Sequence, residues 1–118
     1  MILRSKMPSG ERRYRFMRLL VLFDLPVVTK TDRKVYAQFR KFLINDGYDM
    51  LQFSVYCRMV NGEDAVNKHL NRLKLNLPAK GHVRFLQITD KQYGAMKVLV
   101  GERTCREKYV DVTQTVLF

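Results

Sequence analysis

Residues 17–26, MRLLVLFDLP, are the most apolar stretch of the chain and the one around which the rest can be arranged. Leu19, Leu20, Val21, Leu22, Phe23 and Leu25 are interrupted only by Asp24, and Pro26 ends the run. A short run of Leu, Val and Phe bounded by a turn signal suits a strand covered on both faces, so residues 17 to 24 are read as a central strand. The carboxylate at its end then needs a reason. Strand ends beside helix starts are common functional positions, because the loop exposes a side chain that the sheet holds rigid. For an isolated aspartate the plainer role, a turn cap or a complement to a helix dipole, is the first reading.

The segments that follow alternate helix and strand patterns. Thr29 with Asp32 makes a capping-box start, with Thr31 as the alternative cap. Val35, Phe39, Phe42 and Leu43 follow at helical spacing, and Asn45-Asp46-Gly47 is a stop signal. Residues 50 to 60 alternate, with Leu51, Phe53, Val55, Cys57 and Met59 on one side and Gln52, Ser54, Tyr56 and Arg58 on the other, the pattern of a half-buried strand. Asn61 is placed to cap a second helix with the stripe Val66, Leu70, Leu73 and Leu77, which Pro78 closes. A third strand is expected from Gly81 to about residue 89 and a short fourth over Lys97 to Val100. These elements are assigned to an α+β, ferredoxin-like βαββαβ sandwich, with four antiparallel strands, both helices on one face, and strands 1 and 3 central.

At 118 residues the chain is expected to hold one folded domain, residues 15–100. Residues 1–14 read as a basic, flexible N-terminal arm without the apolar core of a secretory signal. Residues 101–118 form a C-terminal tail that starts polar and ends in VDVTQTVLF, a strand-like stretch expected to join a sheet edge, its own or a partner's. Nothing approaches the roughly 18-residue apolar run of a membrane span. Cys57 and Cys105 lie far apart with no metal-ligand spacing, which argues against a zinc site or a disulfide framework and suits a reducing cytoplasm.

Lys and Arg number 22 against 11 Asp and Glu, a net charge of +11. A surplus of that size on so small a domain favours a polyanionic partner, nucleic acid first. On a helical wheel, Lys30, Arg33, Lys34, Arg40 and Lys41 all fall opposite the apolar stripe of the first helix, so phosphate contacts are expected there, against the plainer alternative of a solvated helix face. One carboxylate makes a thin Mg2+ site, and a two-fold dimer supplies a second copy.

MRLLVLFDLP, followed by TDRKVYAQFRKFLINDGYDMLQFSVY, LKLNLPAKGHVRFLQIT and KQYGAMKVLVGE, resembles the second CRISPR-associated (Cas) protein family, the small universal subunit of spacer acquisition, in its type II form, over about residues 14–103. The resemblance implies a symmetric homodimer, a C-terminal strand that joins the partner's sheet, and an aspartate at the end of strand 1 that binds Mg2+ or another divalent cation at the dimer interface. That aspartate is Asp24, the implied catalytic and metal-binding residue. The adjacent position, often tyrosine in the family, is Phe23 here. The family's early helix-1 cations fall on Arg33 and Lys34, and its strand-2 serine on Ser54, which is equally an ordinary strand serine. The implied role is CRISPR adaptation, with the dimer bridging copies of the integrase subunit and supporting a duplex DNA prespacer, beside a metal-dependent endonuclease activity on RNA or DNA. The competing reading is a single-stranded RNA-binding module of the RNA-recognition type, which has the same element order. Its aromatic signature is met only by Lys80, Gly81 and Phe85.

Overall fold

The computed structural model describes residues 16–101. Its elements are β1 (Phe16–Asp24), α1 (Lys30–Asn45), β2 (Asp49–Gln52), β3 (Val55–Asn61), α2 (Glu63–Leu75), β4 (His82–Thr89) and the single turn α3 (Asp90–Gly94). The arm and the tail beyond Gly101, including the expected C-terminal strand, lie outside the described residues.

β1 is covered on both faces, as its composition requires. Leu19 and Val21 are fully buried toward one side and Leu20 is almost so toward the other. It pairs antiparallel with β3 from Phe16 opposite Asn61 to Leu22 opposite Val55, and with β4 from Met17 opposite Thr89 to Asp24 opposite His82. The sheet order is β2-β3-β1-β4, the ferredoxin-like order with strands 1 and 3 central. Leu19, Val21 and Phe23 pack with Tyr56 and Val60 of β3 against Phe39 and Leu43 of α1 and Val66 and Leu73 of α2. Burying each such side chain is worth about 1.5–3 kcal/mol, which holds both helices on this face. On the other face Leu20 and Cys57 pack with Tyr93 of α3, flanked by Leu22, Val55, Ile88 and Met96. Arg18 is buried beside them because its Nε donates to Asp90 at 2.8 Å and its guanidinium lies 4.3 Å above the Tyr93 ring.

The Thr29 cap forms as expected. Its hydroxyl accepts from the Asp32 N–H and its own N–H donates to the Asp32 carboxylate, so two donors that the first helical turn leaves open are satisfied. Asp46 caps the other end of α1, and Gly47 follows with φ +93°.

The structure corrects several expectations. Residues 50 to 60 are two strands joined by a turn at Phe53-Ser54, where Ser54 has φ 65°. The side of that segment carrying Tyr56 and Arg58, polar in the alternation, faces α1 and α2, and Tyr56 is 1% exposed. The second helix is capped by Gly62 rather than Asn61 and buries Val66, His69 and Leu73, while Leu77 lies past its end and is half exposed. Residues 97 to 100 form no strand, and Leu99 and Val100 are exposed. The strand starting after Gly81 is therefore the fourth, on the sheet edge, and the third is Val55–Asn61.

Candidate metal and nucleic-acid site

Asp24 is the last residue of β1 and is exposed. Side chains alternate along a strand, so it shares the face of Leu20 and Leu22, away from α1 and α2. Phe23 points the opposite way. Its ring lies 5.8 Å from Tyr36, 5.1 Å from Phe39 and 5.7 Å from Tyr56, and only 6% of the residue is exposed. Phe23 therefore anchors the end of β1 in the core. Apolar packing around position 23 is satisfied by phenylalanine without a hydroxyl.

Ser54 meets the same strand end from the hairpin. Its carbonyl accepts the Phe23 N–H at 3.1 Å, and its hydroxyl lies 3.4 Å from the Tyr36 hydroxyl. Across the sheet, His82 is the register partner of Asp24, and Arg84 is that of Leu22. Both are exposed and share the face of Asp24, and neither was singled out from the sequence. The only signal of this corner is strand register, which a single segment does not display.

Lys30, Arg33, Lys34, Arg40 and Lys41 are all exposed along α1. From Lys30 to Lys41 the helix rises about 16 Å, enough to follow several phosphates. Two of the five also hold local structure. The Arg33 guanidinium donates to the carbonyls of Val27 and Val28 at 3.2 and 3.0 Å, and the Arg40 Nε donates to the Tyr56 hydroxyl at 2.8 Å. The acids at the helix ends are committed as well. Asp32 sits in the capping box, where the Thr29 N–H holds its carboxyl below the usual range. The Asp46 carboxylate lies 3.0 Å from His69 Nδ1 and accepts from Arg72 at 2.7 Å. The outer face of α1 thus presents positive charge with little internal compensation.

The donor set fits an exchangeable cation rather than a closed metal centre. Among the described residues no group of three or more His, Cys, Asp or Glu is arranged to hold a metal. Asp24 offers one exposed carboxylate, which water and phosphate oxygens would complete in the manner usual for Mg2+. Among the described residues no helix is long and apolar enough to cross a membrane.

The sheet order and the two helices on one face define a ferredoxin-like α+β protein with an exposed carboxylate at the end of its central first strand. The family model described as CRISPR associated protein Cas2 matches residues 17–96, and the chain belongs to that family. It is 58% identical over 102 residues to a protein of Acidovorax ebreus named CRISPR-associated endoribonuclease Cas2, covering 86% of this chain and all of that one. Proteins of the same name from Parvibaculum lavamentivorans and Campylobacter jejuni are 46% and 41% identical, covering 74% and 88% of this chain and 86% and 73% of theirs. A solved structure described as "Crystal structure of cas2" superposes with a TM-score of 0.52 at 18% identity, over 76% of this chain and 92% of that one, and supports the fold alone.

Proposed function

We propose that the chain works in CRISPR adaptation as a homodimer that bridges copies of the integrase subunit and carries a duplex DNA prespacer on its basic helix faces. The same dimer has a divalent-cation-dependent endonuclease site centred on Asp24. The observation that carries the scaffold role is the outer face of α1, where five exposed cations are offset only by Asp32, held by Thr29, and Asp46, held by His69 and Arg72 of α2. Such a face attracts phosphates without reading bases. Dimerisation is supported by Met59 and Leu86, apolar and exposed on the sheet face that α1 and α2 leave uncovered. A two-fold mate would also double the single carboxylate of Asp24.

At the strand end Asp24 and its mate would hold Mg2+ or another dication. Such an ion supplies charge stabilisation at the attacked phosphate and an activated water. Phe23 and the Ser54 carbonyl fix where the carboxylate stands, and Arg84 offers a guanidinium to a phosphate on the same face. The names of the relatives support RNA as the substrate class of cleavage.

The RNA-recognition alternative loses its support on the open sheet face. From Arg18 to Asp24 on β1 and along β3, that face carries Leu20, Leu22, Val55, Cys57 and Met59 and no aromatic side chain, while the Tyr93 ring of α3 is buried against Leu20 and Cys57 beneath the Arg18 guanidinium. Equilibrium binding of a fluorescent DNA duplex and of single-stranded RNA, with and without the integrase subunit, tests the assignment. Duplex binding that tightens with the integrase subunit is the expected result, and a clear preference for single-stranded RNA would overturn it.

A further inference from the structure

We propose that His82 is a second protein ligand of the cation at Asp24, and that the site consequently favours transition-metal dications such as Mn2+ over Mg2+. The inference rests on the reading of Asp24 as a cation site and adds a ligand and a metal class to it.

Asp24 and His82 form the terminal register pair of β1 and β4. Directly opposed side chains on one face of an antiparallel pair have Cβ atoms about 4.5–5.5 Å apart. One cation accepting a carboxylate oxygen and an imidazole nitrogen at about 2.0–2.2 Å each fits that separation. The placement of His82 is also constrained from the preceding residue. Gly81 has φ +88°, and a Cβ on it would stand 2.5 Å from the Asp24 carbonyl oxygen and 2.8 Å from a Leu25 methyl. Only glycine lets the chain enter β4 this close to the end of β1, which seats His82 opposite Asp24 in the ladder. Both side chains are exposed, so a cation between them stays open to water and to a phosphate oxygen, with Arg84 next along the same face. Mg2+ keeps oxygen ligands, whereas transition dications accept imidazole, so a mixed carboxylate and imidazole pair discriminates between them.

The chain has two histidines, and His69 is 4% exposed with its Nδ1 against Asp46. A nitrogen signal from a bound metal therefore reports on His82. The test uses Mn2+ and the full chain without nucleic acid. Electron paramagnetic resonance counts free and bound Mn2+, and spin-echo modulation detects a coordinated 14N. The wild type should show nitrogen modulation that His82→Ala abolishes. That variant should bind Mn2+ at least about tenfold more weakly, since the loss of even an outer partner of a metal ligand costs this much. Its Mg2+ affinity should stay at the wild-type level. Bound Mn2+ without nitrogen modulation, no Mn2+ binding by the wild type, or an unchanged His82→Ala spectrum would each overturn the proposal. Nitrogen-coordinated Mn2+ in a protein that cleaves no nucleic acid would leave the ligand assignment standing and remove the nuclease reading.

Discussion

The backbone N–H of Phe23 donates to the carbonyl of Ser54 at 3.1 Å, so the residue before Asp24 is tied to the tip of the β2–β3 hairpin. Ser54 holds the left-handed conformation, φ 65°, that this turn needs. Ser54→Gly relieves that conformation and keeps the carbonyl, so stability should be retained or rise slightly. Ser54→Val places a branched side chain at positive φ and should cost about 1–3 kcal/mol. Chemical denaturation of the two variants checks the pair.

Thr29 and Asp32 close the N-terminus of α1 reciprocally. Thr29→Ala should cost about 1 kcal/mol. The Thr29 N–H lowers the Asp32 carboxyl below its usual 3.8. A folded-state value below the unfolded one means that the stabilisation is complete above the unfolded value and is lost as pH falls through the folded one. Thermal melts from pH 7 down to pH 3 should therefore show a smaller acid-side loss in Asp32→Asn than in the wild type.

Asp46 gathers three partners where α1, α2 and β3 meet. Its carboxylate, 8% exposed, faces His69 and Arg72, and its carbonyl accepts from Arg58. Tyr48 packs edge-on against His69, and burial pushes its hydroxyl up to about 12. Asp46→Ala leaves His69 and Arg72 without their acceptor and should cost about 3 kcal/mol. Urea unfolding of Asp46→Ala and of Asp46→Asn should show the larger loss in the alanine variant.

The basic face is best probed with the residues that hold no local structure. Arg33 and Arg40 also bond Val27, Val28 and Tyr56, so their removal mixes stability with binding. Lys30, Lys34 and Lys41 replaced by Gln should flatten the dependence of log K on log salt for duplex DNA, by about 0.9 for each phosphate that the variant no longer neutralises. An unchanged slope would move the duplex to another surface.

What the sequence showed and withheld follows from how far each signal reaches. The β1 run, the α1 stripe and the Thr29 cap are local, and each took the expected form. The hairpin turn was hidden because Phe53-Ser54 contains no Gly, Asn, Asp or Pro, and the alternation runs through it unbroken. His69 is held in the core by Asp46, distant in sequence, and nothing in the local pattern of its helix announces that pairing. Asp24 was legible as an exposed carboxylate on a rigid strand. His82 was not, because its position depends on the pairing of β1 with β4, which only the folded sheet defines.

The most direct test of a scaffold that also carries a metal site is Asp24→Asn. This change removes the carboxylate charge at an exposed strand end while leaving the Phe23 anchor and the α1 face intact. Any divalent-cation-dependent cleavage should fall by at least about 100-fold, because the ion that generates the nucleophile is no longer held. The decisive measurement is insertion of a DNA duplex into a repeat array by the integrase subunit together with the variant. The account predicts insertion at the wild-type level with cleavage lost. Failure of insertion by a folded, dimeric Asp24→Asn protein that still binds duplex DNA would contradict it and make the metal site, rather than the basic scaffold, the core of the function.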